Sequence, residues 1–383
     1  MESPAYFDNA ATTFPKPECV YQFMDSFYRN FGVNVGRGEY AEAVSAAALM
    51  KETRDLLLRL FHAPAKQAIF QPTATEALNV ILRGLSWKDG MSVYISPFEH
   101  NAVTRTLHYL SRRYKLRITE LSVNGASLEY QPDEIEHQFQ ICAPDVVVLT
   151  HASNVCGLIA PLARVFREAK KYKAVTIADL SQTAGLIDVD LVESFADYAV
   201  FAGHKTLYGP FGASGFIAPA EMNLKPLIYG GTGVESANPF MPDMVPEKYE
   251  AGSHNIQAIA GLNAALRWIL STGISEIRER ETKNRNRLLN VLNAYPFIRV
   301  ILCAGSSVGL ISCVFDGYAS DEMGKVLSER GIACRAGLHC APDAHRFLGT
   351  FPAGTVRFSV GYFTAESDFV KLQTALDEIE DLM

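Results

Sequence analysis

Through the first two hundred residues, short apolar runs alternate with longer stretches in which apolar positions recur every three or four residues. That pattern predicts strands at 68–71, 92–95, 116–121, 144–150, 175–178 and 198–201, with helices at 16–31, 41–62, 103–113 and 161–172 between them. In Val146-Val147-Val148-Leu149 no polar position interrupts the run, which predicts a strand buried on both faces. Strand and helix in turn make this an α/β chain with a mostly parallel sheet flanked by helices. In such a sheet functional groups gather beyond the C-terminal ends of the strands.

From 219 to 246 the texture changes to glycine, proline, asparagine and methionine. The segment is too long for an ordinary connection, which signals function or an interface. Helices then follow over 258–294. Strands are expected at 297–302, 308–315, 332–335 and 355–360, with helices at 321–330 and 365–382, and this α+β pattern reads as a smaller unit. The expected division is a large domain over 15–257 and a small one over 258–383.

With 383 residues the chain can bury a large core and form two packed domains. A net charge of −7 gives no electrostatic footprint for nucleic acid or an anionic membrane. No apolar run approaches the ~18 residues of a membrane span, and the stretch from Met1 to Tyr6 has neither the basic nor the apolar part of a secretory signal. The seven cysteines are widely spaced and lack a Cys-x-x-Cys pair. Neither a disulfide framework nor a zinc site is expected, and a reducing cytoplasm is the simplest home.

Candidate chemistry begins where the 198–201 strand runs into Gly203-His204-Lys205-Thr206 and a Gly209-Pro210 turn. A lysine at the mouth of a buried strand is desolvated, which lowers its pKa and frees its amine for a Schiff base with an aldehyde. A His-Lys pair beside a turn is more often simply solvated, so the neighbouring strand decides its weight. There Val175-Thr176-Ile177-Ala178 closes on Asp179, followed by Ser181-Gln182-Thr183. An acid ending one strand and a lysine ending the next are what pyridoxal phosphate requires, the acid to keep the pyridine nitrogen protonated and the lysine to hold the aldehyde. With its Asp-x-x-Gln followed by Ala-x-His-Lys, the chain resembles the cysteine desulfurases of the class V aminotransferase family, over essentially its whole length. The resemblance implies the type I fold of pyridoxal-phosphate enzymes and a homodimer.

Further motifs carry the resemblance. Thr73 with Glu76 three residues on is a helix-capping pattern, and spacing alone serves a plain capped helix as well as an anion site. The resemblance assigns Ala74 and Thr75 there to the cofactor phosphate, together with His204 and with Ser253 of the neighbouring subunit. Ser253 lies in Glu250-Ala251-Gly252-Ser253-His254-Asn255, similar to the family's Glu-x-Gly-Thr-x-Asn. His100, after Glu99, is implied to stack on the pyridine ring, while Asn154 and Gln182 face its O3′ atom. The opening Tyr6-Phe7-Asp8-Asn9-Ala10-Ala11-Thr12-Thr13, within residues 1–14, is implied to lie across the active-site mouth.

Arg335-Ala336-Gly337-Leu338-His339-Cys340-Ala341 is similar to the family's Arg-x-Gly-His-His-Cys-Ala, nearest the sulfur-mobilising and selenocysteine lyase subgroup. It puts a cysteine beside a histidine and an arginine, and cationic neighbours raise the thiolate fraction. The resemblance makes Lys205, Cys340 and His100 catalytic. Arg357 is the grip on the substrate α-carboxylate, a task suited to a guanidinium fork, with Arg335 and Asn154 also at the substrate. The implied reaction takes L-cysteine to L-alanine and leaves the sulfur as a persulfide on Cys340, for delivery to an acceptor protein. Selenocysteine lyase, another C–S lyase or an epimerase of the class stay open on the same scaffold, with a non-catalytic sulfur-relay protein more distant. Departures from the family pattern are Leu338 for a histidine, Ala202 for a phosphate-binding serine, Gly36 for a histidine, and a region near Gly230 too short for the hairpin that in some relatives receives the acceptor.

Overall fold

The strand at Val146–Thr150 has no exposed face. Val147 and Leu149 pack into one apolar cluster and Val146 and Val148 into another, so the two sides of the sheet are covered by different helices. Burying a Val or Leu fully is worth about 1.5–3 kcal/mol, and alternation across this one strand ties both layers to it. The structure, a computed structural model, describes residues 4–35 and 38–382, so Gly36 lies outside the described residues.

The central sheet has seven strands in the order Lys66–Gln71, Ser214–Pro219, Tyr198–Phe201, Val175–Asp179, Val146–Thr150, Ser92–Ile95, Arg117–Glu120. The last five run parallel, whereas Ser214–Pro219 is antiparallel to both its neighbours. One face is covered by the helices Glu18–Phe31, Ala41–Leu60, Leu162–Lys170 and Ile256–Thr272. The other face carries Ala74–Gly84 and Asn101–Tyr114. The expected elements are present, and the sequence reading missed Ser214–Pro219. That strand is fully enclosed between its neighbours, and its Gly215 is dictated by backbone approach, since a Cβ there would lie 2.1 Å from the Ile69 carbonyl oxygen.

A second, antiparallel sheet runs Ile298–Ile301, Leu310–Phe315, Thr355–Ser359, Arg335–Gly337. It shares an apolar cluster with Phe7, Met323, Leu327, Phe369 and Leu376. The single strand expected at 332–335 is two. Ile332–Ala333 pairs in parallel with Ala5–Tyr6 at the start of the chain, and Arg335–Gly337 joins the sheet edge. Its register sets Arg335 directly opposite Arg357.

Pro219 closes the Ser214–Pro219 strand; the remaining 220–246 segment forms no strand, and it exposes Ile228, Tyr229, Phe240 and Met244, with Phe240 81% exposed. It is anchored at its end by Glu250. The Arg54 guanidinium donates to both Glu250 oxygens at 2.7 Å, and Phe70 N donates to Oε1 at 2.6 Å. Removing one partner of a buried, hydrogen-bonded pair leaves an uncompensated charge. Arg54→Ala is therefore expected to cost about 3–5 kcal/mol, read as a lowered denaturant midpoint. A loss below about 1 kcal/mol, the behaviour of a surface pair, would contradict this.

Candidate active site

A cavity of about 490 Å³ opens beyond the C-terminal ends of the parallel strands, against the second sheet. Lys205 reaches it on the turn after Tyr198–Phe201. The turn is closed by Gly209 N donating to Gly203 O at 2.8 Å and Tyr208 N donating to Lys205 O at 2.8 Å. Gly203 is obligatory, because a Cβ would meet Ala213 O at 1.8 Å. Burial pushes the Lys205 amine down to about 8, with nearby Asp179 opposing the shift. Lys205 Nζ points to the cavity and makes no hydrogen bond among the described residues.

Asp179 ends the adjacent strand. Its Oδ1 accepts from Ser181 N at 2.9 Å and from Ser181 Oγ at 2.5 Å, while Oδ2 makes no hydrogen bond among the described residues. His100 accepts from Ala102 N at 3.0 Å through Nδ1, so the imidazole itself caps the Asn101–Tyr114 helix. Burial, then Lys205, lowers its pKa, which leaves a neutral ring with its proton on Nε2. His204 stacks on Phe211 at 4.5 Å. Burial, Lys205 and Lys16 push it down to about 3, and its Nδ1 is buried without a partner among the described residues. Thr73 caps the Ala74–Gly84 helix by accepting from Glu76 N at 3.1 Å, as its spacing predicted. The first amides of that helix, beside Ala74 and exposed Thr75, have no intrahelical acceptor.

Cys340 lines the opposite wall. His339 and Cys340 both adopt left-handed backbone, with φ of 48° and 56°, a conformation costing about 1–3 kcal/mol at each non-glycine residue. Surrounding hydrogen bonds hold the loop there. Asn154 Nδ2 donates to His339 O at 2.7 Å, and Asn101 N donates to Cys340 O at 2.7 Å. The expected pairing of the thiol with a cationic histidine is not what forms. His339 turns its Nε2 to Thr355 Oγ1 at 3.0 Å, and burial pushes it down to about 2, so it stays neutral. The cations near Cys340 are instead Arg335, Arg357 and Lys205.

Arg357 is buried, donates from Nη1 to Asn154 O at 2.8 Å, and keeps Nε unpartnered. Gln182 lines the cavity with its amide nitrogen on Ala10 O at 2.9 Å. Ala202 also lines the wall and offers no side-chain donor. Thus Ala74, Thr75, His100, Asn154, Asp179 and Gln182 face the same space as His204, Lys205, Arg335, Cys340 and Arg357. Ser253 does not join them within one chain, and lies exposed next to Gly252.

The start of the chain straps this site. Thr12 Oγ1 donates to His204 O at 2.9 Å and Thr13 Oγ1 to Lys205 O at 2.6 Å. Sequence reading missed Asp8, whose carboxylate pairs with both Arg335 and Arg357. Two arginines assigned to one substrate carboxylate were the available signal that another anion was needed.

Comparison with known proteins agrees with this arrangement. The aminotransferase class-V family model matches residues 5–372. A probable cysteine desulfurase of Methanothermobacter thermautotrophicus is 28% identical over 387 residues, covering 99% of this chain and 95% of that protein. The apo structure of a cysteine desulfurase from Thermococcus onnurineus NA1 superposes with a TM-score of 0.91 at 25% identity, over 99% of this chain and 95% of the other. The Escherichia coli cysteine desulfurase CsdA, in its S-sulfonic acid form, gives 0.87 at 28% identity over the same shares. With a family match from residue 5 to residue 372 and the family's lysine, aspartate and cysteine motifs lining one cavity, the chain belongs to the aminotransferase class-V family.

Proposed function

We propose that this chain is a pyridoxal-phosphate-dependent cysteine desulfurase that converts L-cysteine to L-alanine and leaves the sulfur as a persulfide on Cys340. The observation that carries this reading is the convergence of Lys205, Asp179, Arg357 and Cys340 on one cavity.

The donor set fits the cofactor. Lys205 has a free amine for its aldehyde, and Asp179 an uncommitted oxygen for its ring nitrogen. The orphaned His204 Nδ1 and the open amides at Ala74 and Thr75 suit a phosphate. Ser253 of a neighbouring subunit would add a hydroxyl where Ala202 gives none. His100, neutral and held by its helix cap, would hold the cofactor's ring, with Asn154 and Gln182 on the same cavity. Bound there, pyridoxal phosphate supplies an electron sink for the carbanion formed at the substrate Cα.

The side chains divide the remaining work. Arg357, with Arg335 and Asn154 alongside, holds the substrate carboxylate and fixes which Cα bond is broken. Lys205 Nζ takes the Cα proton. Cys340 Sγ bonds to the substrate sulfur as the Cβ–S bond breaks. The balance is Cys340–SH plus L-cysteine giving Cys340–S–SH plus L-alanine, in which carbon is reduced and the two sulfurs are oxidised. Cys340 is exposed, so its persulfide is within reach of a sulfur-acceptor protein.

The exposed apolar side chains of the 226–246 segment, leading to Ser253, support a homodimer. Seven unpaired cysteines suit a reducing cytoplasm, and no described helix is long and apolar enough to cross a membrane. Two units, with the described part of the 1–14 segment at the active site, complete the reading; the expected boundary at 257/258 falls inside the Ile256–Thr272 helix, whose apolar residues from Ala258 to Ile269 pack on the larger core.

The test is incubation of cofactor-loaded protein with L-cysteine and excess reductant, with alanine and sulfide quantified together. Equal amounts of both are expected. Neither product, with the cofactor's visible absorption intact, would overturn the assignment.

A further inference from the structure

The loop that carries Cys340 is tied down by one of its own side chains. Among the described residues, His339 alone of residues 338–341 makes a side-chain hydrogen bond, from ring Nε2 to Thr355 Oγ1 at 3.0 Å. Thr355 Oγ1 is in turn 3.1 Å from Ser312 Oγ, and Ser312 Oγ donates to Val155 O at 2.7 Å. Thr355 and Ser312 are fully buried on neighbouring strands of the second sheet, so bulk water does not compete for their hydroxyls.

The order of protons along this chain is forced. A carbonyl oxygen only accepts, so Ser312 commits its single hydroxyl proton to Val155. Ser312 therefore accepts from Thr355, Thr355 accepts from His339, and the imidazole carries its proton on Nε2. The chain also closes on itself, because Val155 follows Asn154, whose Nδ2 donates to His339 O at 2.7 Å. His339 is thus held twice to one turn, by its ring through two hydroxyls and by its carbonyl directly. Left-handed backbone at two successive non-glycine residues, His339 and Cys340, persists only where the surroundings over-determine it. This closed set of bonds supplies that constraint.

We infer that Thr355 and Ser312 are positioning residues for sulfur transfer, which lock the His339 ring and thereby keep the Cys340 thiol on the cavity wall. This rests on the reading of Cys340 as the persulfide carrier. Cys340 and His339 line the cavity, whereas neither Thr355 nor Ser312 does, so the two hydroxyls act through His339 and not on the substrate.

The experiment compares cofactor-loaded wild type, Thr355→Val, Thr355→Ser and Ser312→Ala. It reads the rate of alanine formation in the first turnover of L-cysteine, and L-cysteine binding from the change in cofactor absorption. Thr355→Val keeps the shape of the side chain but strands the buried His339 N–H. Its alanine rate should fall at least about tenfold, while half-saturation by L-cysteine stays within about twofold. Thr355→Ser restores the hydroxyl and should return to within about threefold of wild type. A packing role predicts the opposite order, since serine opens a cavity that valine fills. Ser312→Ala removes the acceptor that orders the chain; it should also slow alanine formation, and it stands in if Thr355→Val does not fold. A wild-type rate in Thr355→Val or its stand-in, or a serine variant as slow as the valine one, overturns the inference. So does a loss confined to L-cysteine binding, which would place Thr355 in support of Arg357 instead. No alanine from the wild type, with the cofactor still responding to L-cysteine, would overturn the persulfide reading itself, and the inference with it.

Discussion

Lys205→Ala is expected to yield a folded protein that no longer retains pyridoxal phosphate covalently and desulfurates L-cysteine at least about a thousandfold more slowly. The fold should survive because every hydrogen bond at this position is made by backbone, from Lys205 N to Ala202 O, from Tyr208 N to Lys205 O and from Thr13 Oγ1 to Lys205 O. The amine faces the cavity and makes no hydrogen bond among the described residues, so its removal leaves no partner stranded. Loss of the lysine-bound absorption band with an unchanged melting temperature is the expected pair of observations. The lowered pKa adds a pH signature. Only the unprotonated amine attacks an aldehyde, and burial brings the Lys205 midpoint from the model-peptide value of 10.5 to about 8. Capture of the cofactor by the apoenzyme should therefore accelerate as pH rises toward about 8 and level off above it. A rate still climbing near pH 10 would show that the lysine is not desolvated.

The residues that sequence could reveal are those whose chemistry is written in a local string. Val146-Val147-Val148-Leu149 announces its burial, and Asp179 and Lys205 each end an apolar run, so a parallel sheet brings them together without further information. Cys340 is equally local within its Arg-x-Gly-x-His-Cys motif. Ser214–Pro219 was illegible because its glycine answers to the Ile69 carbonyl of another strand. Asp8 was illegible for a related reason. Its partners lie 327 and 349 positions away, and they meet it only because Ala5–Tyr6 pairs with Ile332–Ala333 while Arg335 falls opposite Arg357. Register between distant strands leaves no periodic trace in either strand. The same holds for His339, where adjacency to Cys340 suggested a cationic partner. The left-handed backbone of the loop turns the imidazole to Thr355 instead.

Cys340→Ala is expected to separate cofactor chemistry from sulfur transfer. The variant should keep pyridoxal phosphate on Lys205, and its absorption should still respond to L-cysteine, while alanine and sulfide production fall by about a thousandfold or more. A structural explanation for such a loss is weak on three counts. Cys340 is exposed, so truncation opens no core cavity. Alanine has the same Cβ, so the φ of 56° costs both residues a similar amount. The hydrogen bonds from Asn154 to His339 O and from Asn101 N to Cys340 O end on backbone atoms, which the substitution leaves in place. Nor is another thiol suited to replace it. Cys156 and Cys313 are buried, and burial pushes the Cys334 thiol up to about 12, which keeps it protonated at neutral pH. A nucleophile needs the thiolate, and on this wall of the cavity Cys340 is the cysteine that faces the substrate space. Sulfide release in Cys340→Ala at the wild-type rate would mean that sulfur leaves without a protein persulfide, and would move the enzyme from desulfurases that relay sulfur through a cysteine to lyases that eliminate it directly.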